Sequence, residues 1–309
     1  MLTFDKLKLV TKIDYIQIDD IDRFQQTIKN NTLTELKFNI ISPYLLYIEI
    51  DYLEKELVIE FSGKILGSDY KKLISTETIR QCFENINSLG VCSLDVEAIL
   101  ADAIVVKCDV TQDVYCADIP SVTNYIRSNI SNYQSYAAKL LRNGNFVVDK
   151  NVTTRQAKKR LTIYDKGKEM NRIDNRKFMN EYNIPDTEFD NVCRFEINLN
   201  SIAQIKSSLG ITDTRLMSVL TSTKNPILDF LDDVVADTNS VIPLTDKQSY
   251  ITALVLQDCN NDLAEVEAKM RQLYSKGTNL SKVMKPYRDA LAKKSESKFT
   301  KADLLQMLR

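Results

Sequence analysis

The chain has 309 residues, 44% of them hydrophobic and 27% charged, with a formal net charge of −1 and no histidine. That length supports one large or two ordinary domains with ample core. The missing histidines exclude a Ser-His-Asp triad, a Cys-His pair, a histidine-ligated zinc and a histidine general base together. Catalysis, if present, rests on carboxylates, Tyr, Lys, Arg, Ser or Cys. Only seven glycines occur, and neither GxGxxG nor GxxxxGK followed by Ser or Thr is found, which disfavours a dinucleotide fold and a P-loop. No apolar run approaches the roughly 20 residues a bilayer span needs, so no membrane partner is expected. The start, MLTFDKLKLV, alternates like a strand rather than reading as a signal peptide. Six scattered cysteines without a CxxC pair are expected as reduced core residues of a cytoplasmic protein.

The near-zero net charge hides two basic islands. Residues 139–177 hold 12 basic against 4 acidic side chains, and 269–309 hold 11 against 3, whereas 1–138 hold 13 against 20. Such islands serve either as solvated faces or as a phosphate-contacting surface flanked by acidic regions.

In chain order, Leu7–Ile13 reads as a strand and Asp19–Ile28 as a short amphipathic helix with Ile21, Phe24 and Ile28 on one face. Glu35–Ile41, Leu45–Asp51 and Glu56–Ser62 alternate as strands. Thr76–Leu89 carries Ile79, Phe83, Ile86 and Leu89 at helical spacing, with Gly90 as C-cap. Ala101–Val114 is the next strand, and its parity groups Lys107, Asp109, Thr111 and Asp113 against Val106, Cys108 and Val110. An acid inside such a strand is costly to bury unless it is paired or holds a cation. Ile119–Leu141 is expected to be helical, in one piece or two, which would set Tyr133 and Tyr136 one turn apart. That spacing suits ordinary packing or a pair of nucleophiles.

Phe146–Lys150 is a brief strand, joined by the basic link Arg155–Lys159 to Arg160–Tyr164, which runs into a charged turn. Alternation sets Leu161 and Ile163 on one face and Arg160, Thr162 and Tyr164 on the other. Tyr164 is then either a half-buried strand tyrosine with a wet hydroxyl or a nucleophile. Val192–Leu199 places Arg194, Glu196 and Asn198 on one face, as a solvated ion pair or as part of a cation site. From Ile202 onwards the chain reads helical, with segments at Ile202–Leu209, Thr214–Ser222, Pro226–Val235, Thr245–Asp258, Asp262–Tyr274, Leu280–Lys293 and Lys301–Leu308, the last capped by Thr300. Asp237–Pro243 reads as a linker. The expected fold class is α+β, an α/β unit over 1–200 followed by a helical region over 201–309.

Three pieces in order, VVKCDVTQDV, LTIYDKGKE and CRFEINL, together with the opening FDKLKLVT, resemble the rolling-circle replication initiators of plasmids and phages. The resemblance is to the plasmid Rep and conjugative-relaxase group that lacks the usual histidine pair, and to the gene II-like initiators. It covers roughly residues 1–200 and implies a mainly antiparallel sheet backed by helices, the nicking fold without its His-hydrophobe-His motif. It further implies an enzyme that nicks one DNA strand at an origin through a tyrosine linked to the 5′ phosphate. Carried over by position, Tyr164 is the nucleophile and Glu196 and Asp109 hold Mg²⁺ or Mn²⁺. A third ligand is drawn from Asp113 and Glu169, ahead of Asp51.

On that resemblance Lys166 and Arg194 would stabilise the phenolate or phosphorane. Arg155, Lys158, Lys159, Arg160, Lys168 and Arg172 would hold the single-stranded or hairpin DNA. The helical region would then give origin specificity, with self-association and a host helicase as possible partners in a bacterial cytoplasm. The alternatives are a non-catalytic origin-binding protein, a mobilisation relaxase and a metal-dependent hydrolytic nuclease.

Overall fold

A computed structural model describes residues 2–41, 44–130, 136–150, 159–236, 246–259, 262–275, 277–294 and 300–309. The chain divides into two compact units, Met1–Ala117 with Gln134–Phe230 and Asp118–Tyr133 with Leu231–Arg309. Among the described residues no helix is long and apolar enough to cross a membrane.

The first unit is α+β. Its strands are β1 (Thr3–Lys12), β2 (Ile16–Ile18), β3 (Gln25–Lys29), β4 (Thr32–Ile40), β5 (Leu46–Asp51), β6 (Glu56–Ser62), β7 (Cys92–Leu94), β8 (Ile104–Tyr115), β9 (Tyr136–Leu140), β10 (Phe146–Lys150), β11 (Arg160–Asp165) and β12 (Val192–Leu199). Ten of them form one antiparallel sheet in the order β3-β4-β5-β6-β1-β8-β12-β11-β10-β9. Strands β2 and β7 pair separately. Two helices precede the middle of this sheet in sequence, α1 (Ile79–Asn87) and α2 (Val96–Asp102).

In chain order α3 (Ile119–Ser128) follows in the second unit. The first unit resumes with α4 (Lys166–Met170), α5 (Ile173–Glu181), α6 (Ile202–Leu209) and α7 (Leu216–Leu220). Next come α8 (Pro226–Val234), α9 (Lys247–Asp258), α10 (Leu263–Leu273), α11 (Leu280–Lys294) and α12 (Lys301–Met307). In the second unit, Leu256, Cys259, Val266, Met270, Met284, Tyr287 and Ala290 of α9 to α11 and their junctions form one buried cluster. Thr300 caps α12 as its sequence indicates. None of the six cysteines is in a disulfide, and all but Cys116 are buried.

Two expected helices are wrong in part. Asp19–Ile28 contains a 3-10 turn at Ile21–Arg23 and then β3, which pairs with β4 across a tight turn where Asn30 and Asn31 take positive φ. The adjacent asparagines set the hairpin, and sheet pairing overrides the helical spacing of Ile21, Phe24 and Ile28. Within Ile119–Leu141 the helix α3 ends at Ser128, and Tyr136 lies on the edge strand β9 with its ring edge-on to Phe230 at 5.5 Å. Tyr136 is therefore not helical as expected, and Tyr133, the other member of the expected pair, lies outside the described residues, as does all of Asp237–Pro243.

Strand parity holds across β8, β12 and β11. Leu161 faces Ile197, which faces Val110, and Ile163 faces Phe195. All five are buried, forming the apolar face. One irregularity matters for the opposite face. Phe4 pairs with Val110 but Lys6 pairs with Asp109, so Asp5 is the extra residue of a β-bulge in β1. A bulge re-aims a side chain, and here it turns Asp5 toward the polar face although strict alternation would set it with Leu7 and Leu9.

That polar face is covered at one end by kinked 3-10 turns over Gly63–Lys72 and by α4 and α5; their Tyr70, Met170, Phe178 and Met179 form a buried cluster with Leu73 and with Phe189 from the segment before β12. The kink sits at Gly67, with φ of +60°. A Cβ there would lie 2.6 Å from the Tyr182 ring. Gly67→Ala is expected to destabilise the first unit by about 2 to 4 kcal/mol through backbone strain and the forced shift of Tyr182. Urea unfolding measures this, and an unchanged midpoint would contradict it.

Candidate active site

The polar face of three adjacent strands forms a grid fixed by register. Tyr164 on β11 lies opposite Arg194 on β12, which lies opposite Asp113 on β8; next come Thr162, Glu196 and Thr111, then Arg160, Asn198 and Asp109. The sequence-derived parity of all three strands is thus realised in space. Tyr164 leans diagonally, and its hydroxyl donates to Glu196 Oε1 at 2.6 Å.

Arg194 is fully buried. Its Nε and Nη2 donate to the two carboxylate oxygens of Asp113 at 2.6 and 2.7 Å, and its Nη1 donates to Asp5 Oδ1 and to Tyr70 Oη, both at 2.9 Å. The fork geometry of a guanidinium suits this bidentate pairing. Tyr70 completes the arrangement by donating to Asp5 at 3.0 Å while accepting from Lys166 Nζ at 2.7 Å. Lys166 is 2% exposed and also donates to Glu169 Oε2 at 2.6 Å. Its ammonium lies 5.8 Å from the centre of the Tyr164 ring. Asn175 in turn donates to the carboxylate and the main-chain oxygen of Glu169.

Electrostatics follow from this packing. Burial, and then the nearby Asp5 carboxylate, push Glu196 up to about 7, although Arg194 and the Tyr164 hydroxyl pull the other way. Burial, then Glu196, holds Tyr164 well above its ordinary value, so at rest it is a neutral phenol. Asp5 stays below the usual carboxylate range: burial raises it, but Arg194, Lys166 and the Tyr70 hydroxyl outweigh that. Glu169 is likewise lowered, Lys166 overcoming burial, whereas burial raises Asp109 despite the hydrogen bond from Asn198.

Of the residues singled out from sequence, Tyr164, Glu196, Arg194, Asp113, Lys166 and Glu169 join one connected region. Asp109 lies further along the grid, where its Oδ1 accepts from Asn198 at 2.7 Å. The four carboxylates assigned to a cation do not converge. Asp113 is taken by Arg194, Glu169 by Lys166 and Asn175, Glu196 by Tyr164 and Asp109 by Asn198. Among the described residues no three His, Cys, Asp or Glu side chains are grouped to hold a metal. As placed, this donor set does not fit a resident Mg²⁺ or Mn²⁺. Asp51 instead caps its own turn, accepting from Leu53 and Glu54 amides.

The basic residues assigned to DNA are dispersed. Arg160 donates to Asp149 at 2.7 Å, Lys159 lies 5.6 Å from the Phe230 ring centre, and Arg172 donates to the Asn143 carbonyl at 3.3 Å. Lys168 is largely exposed beside Asp165. Arg155 and Lys158 lie outside the described residues. Sequence reasoning missed Asp5, Tyr70, Lys64 and Asn175. The adjacent polar pair Asp5-Lys6 between Phe4 and Leu7 was the one available sign of a bulge, and nothing in GSDYKK marks Tyr70.

Comparison with protein-family models, curated proteins and solved structures returned no match.

Two outcomes test the site as physics. Arg194→Met leaves the half-buried Asp5 and Asp113 without their counterion and is expected to cost about 3 kcal/mol in urea unfolding; a loss under 1 kcal/mol would contradict the pairing. Glu196 has a folded pKa above its ordinary 4.5, so it contributes stability fully below pH 4.5 and loses that contribution as pH rises through about 7. Relative to Glu196→Gln, the wild-type chain is expected to lose on the order of 2 kcal/mol between pH 5 and 8. Parallel stability curves for the two proteins would refute the raised pKa.

Proposed function

We propose that the chain is a DNA strand-transferring enzyme of the rolling-circle initiator kind, in which Tyr164 attacks a phosphodiester of a single strand at a plasmid or phage origin. The observation that carries this is the 2.6 Å hydrogen bond from Tyr164 to Glu196, beside the cations Arg194 and Lys166. A neutral phenol attacks phosphorus well only if its proton leaves as the bond forms. Glu196, titrating near neutrality, is matched to receive it.

In that step the bond from Tyr164 Oη to phosphorus forms and the bond from phosphorus to the 3′ oxygen breaks. The phenol proton passes to Glu196, and the departing 3′ oxygen takes a proton from solvent. The products are a 5′-phosphotyrosyl link and a free 3′ hydroxyl that primes synthesis. One ester replaces another, so rejoining needs no nucleotide, in keeping with the lack of a P-loop. Arg194 is fully buried and commits four of its five N–H donors to Asp113, Asp5 and Tyr70, so it acts on the phosphorane through its field rather than by contact. Origin choice, helicase recruitment and self-association belong to the same proposal.

Tyr164 is only 8% exposed, which favours one second reading. In it the Tyr164–Glu196 bond is structural, and the chain binds an origin without cutting it.

The test is an adduct assay with a 3′-labelled single-stranded origin oligonucleotide, or a randomised pool, with Mg²⁺, with Mn²⁺ and without either. The expected product is a denaturant-resistant labelled protein whose modified peptide contains Tyr164. Tyr164→Phe abolishes it, Glu196→Gln slows it by about 10²-fold or more, and its rate rises with pH through about 7 as Glu196 ionises. No adduct under any of these conditions selects the second reading, and cleavage that survives Tyr164→Phe selects a hydrolytic nuclease.

A further inference from the structure

Three cations gather on the covered end of the polar face, and two of them are neutralised. Arg194 is paired with Asp5 and Asp113, and Lys166 with Glu169. Lys64 is the third. It stands in the first turn after β6, half-buried, with its ammonium 5.6 Å from the Phe178 ring centre. It donates to Asn175 Oδ1 at 2.6 Å and, among the described residues, enters no ion pair.

Asn175 fixes where that ammonium points. The amide is buried, and its nitrogen is committed to Glu169, so its oxygen must face Lys64. A hydrogen-bonded chain then runs from Lys64 through Asn175 and Glu169 to Lys166, Tyr70 and Arg194. Lys64 therefore belongs to the same network as the residues under Tyr164, although it comes from a segment with no part in the sequence motifs. Two of its three N–H donors have no partner among the described residues. Burial depresses its pKa, with Lys166 and Arg194 opposing the attraction of Glu169 and Asp5. A half-buried ammonium held in this way is costly, and an arriving anion relieves that cost.

We propose that Lys64 binds a backbone phosphate of the single DNA strand on which Tyr164 acts, so that the 3-10 segment Gly63–Lys72 forms one wall of the strand's path. The assignment rests on the strand-transfer reading for its ligand class, and its test is built on binding rather than on chemistry. Among the described residues Lys64 is the cation of the network without a carboxylate partner and with two N–H donors unassigned, whereas Arg194 and Lys166 are ion-paired, buried and left with one each, so they supply field.

The test uses the full chain carrying Tyr164→Phe, which binds without forming an adduct. Fluorescence anisotropy with a labelled single-stranded oligonucleotide is measured over roughly 50 to 200 mM salt. Adding Lys64→Met, which keeps the aliphatic stem over Phe178, is expected to weaken binding about tenfold and to make the slope of log K against log salt shallower by about 0.7. Lys64→Arg restores the slope, and Lys64→Gln, which can still meet Asn175, behaves like Lys64→Met. Affinity and slope unchanged in both neutral variants, with unchanged thermal midpoints, would overturn the assignment. A failed adduct assay alongside the expected slope change removes the nicking reaction and leaves the phosphate contact standing. No single-strand binding by the parent chain overturns both.

Discussion

The buried guanidinium of Arg194 is the constraint on which the polar face depends. Moving such a charge out of water costs several kcal/mol after relaxation, and only close, complete pairing repays it. Arg194 obtains that pairing from three separate places: Asp113 across the strand pair, Asp5 from a bulge in a strand beyond it, and Tyr70 from a segment lying over the sheet. Each partner is thereby fixed relative to the others. Tyr70 passes the constraint to Lys166, Lys166 to Glu169, and Glu169 to Asn175. The Tyr164–Glu196 pair sits beside this frame and takes its electrostatics from it, since Arg194 restrains the rise that burial and Asp5 impose on Glu196.

The strands that carry Asp109, Tyr164 and Glu196 were legible because period-two alternation is strong in all three, and the antiparallel sheet turns parity directly into a shared face. Val192–Leu199 and Glu56–Ser62 were readable to the residue. Legibility failed where a local pattern competed with pairing. Ile21, Phe24 and Ile28 fit a helix, yet the Asn30-Asn31 turn commits Gln25–Lys29 to a hairpin. Tyr136 to Leu140 likewise pairs with β10, a partner that helical spacing cannot reveal.

The site itself was half readable for a related reason. Which side chains share a strand face is written in the sequence, but which partner each one takes is not. Asp113 and Glu169 looked like ion ligands until Arg194 and Lys166 occupied them. Asp5 was hidden by parity, because a one-residue bulge reverses which face a side chain meets. Tyr70, Lys64 and Asn175 come from segments without sheet periodicity, where no pattern announces that a side chain is turned inward.

The spans that Arg194 closes have a consequence for how the chain folds. Its partners lie 81, 124 and 189 residues away in sequence, so each contact closes a long loop whose entropy must be lost before the contact returns anything. A guanidinium with only one of the three partners in place is poorly compensated, so the contacts form together or hardly at all. The polar face is thus tied to the first unit as a whole, and hydrogen exchange at the strands flanking Arg194 should require opening of that unit rather than local fraying.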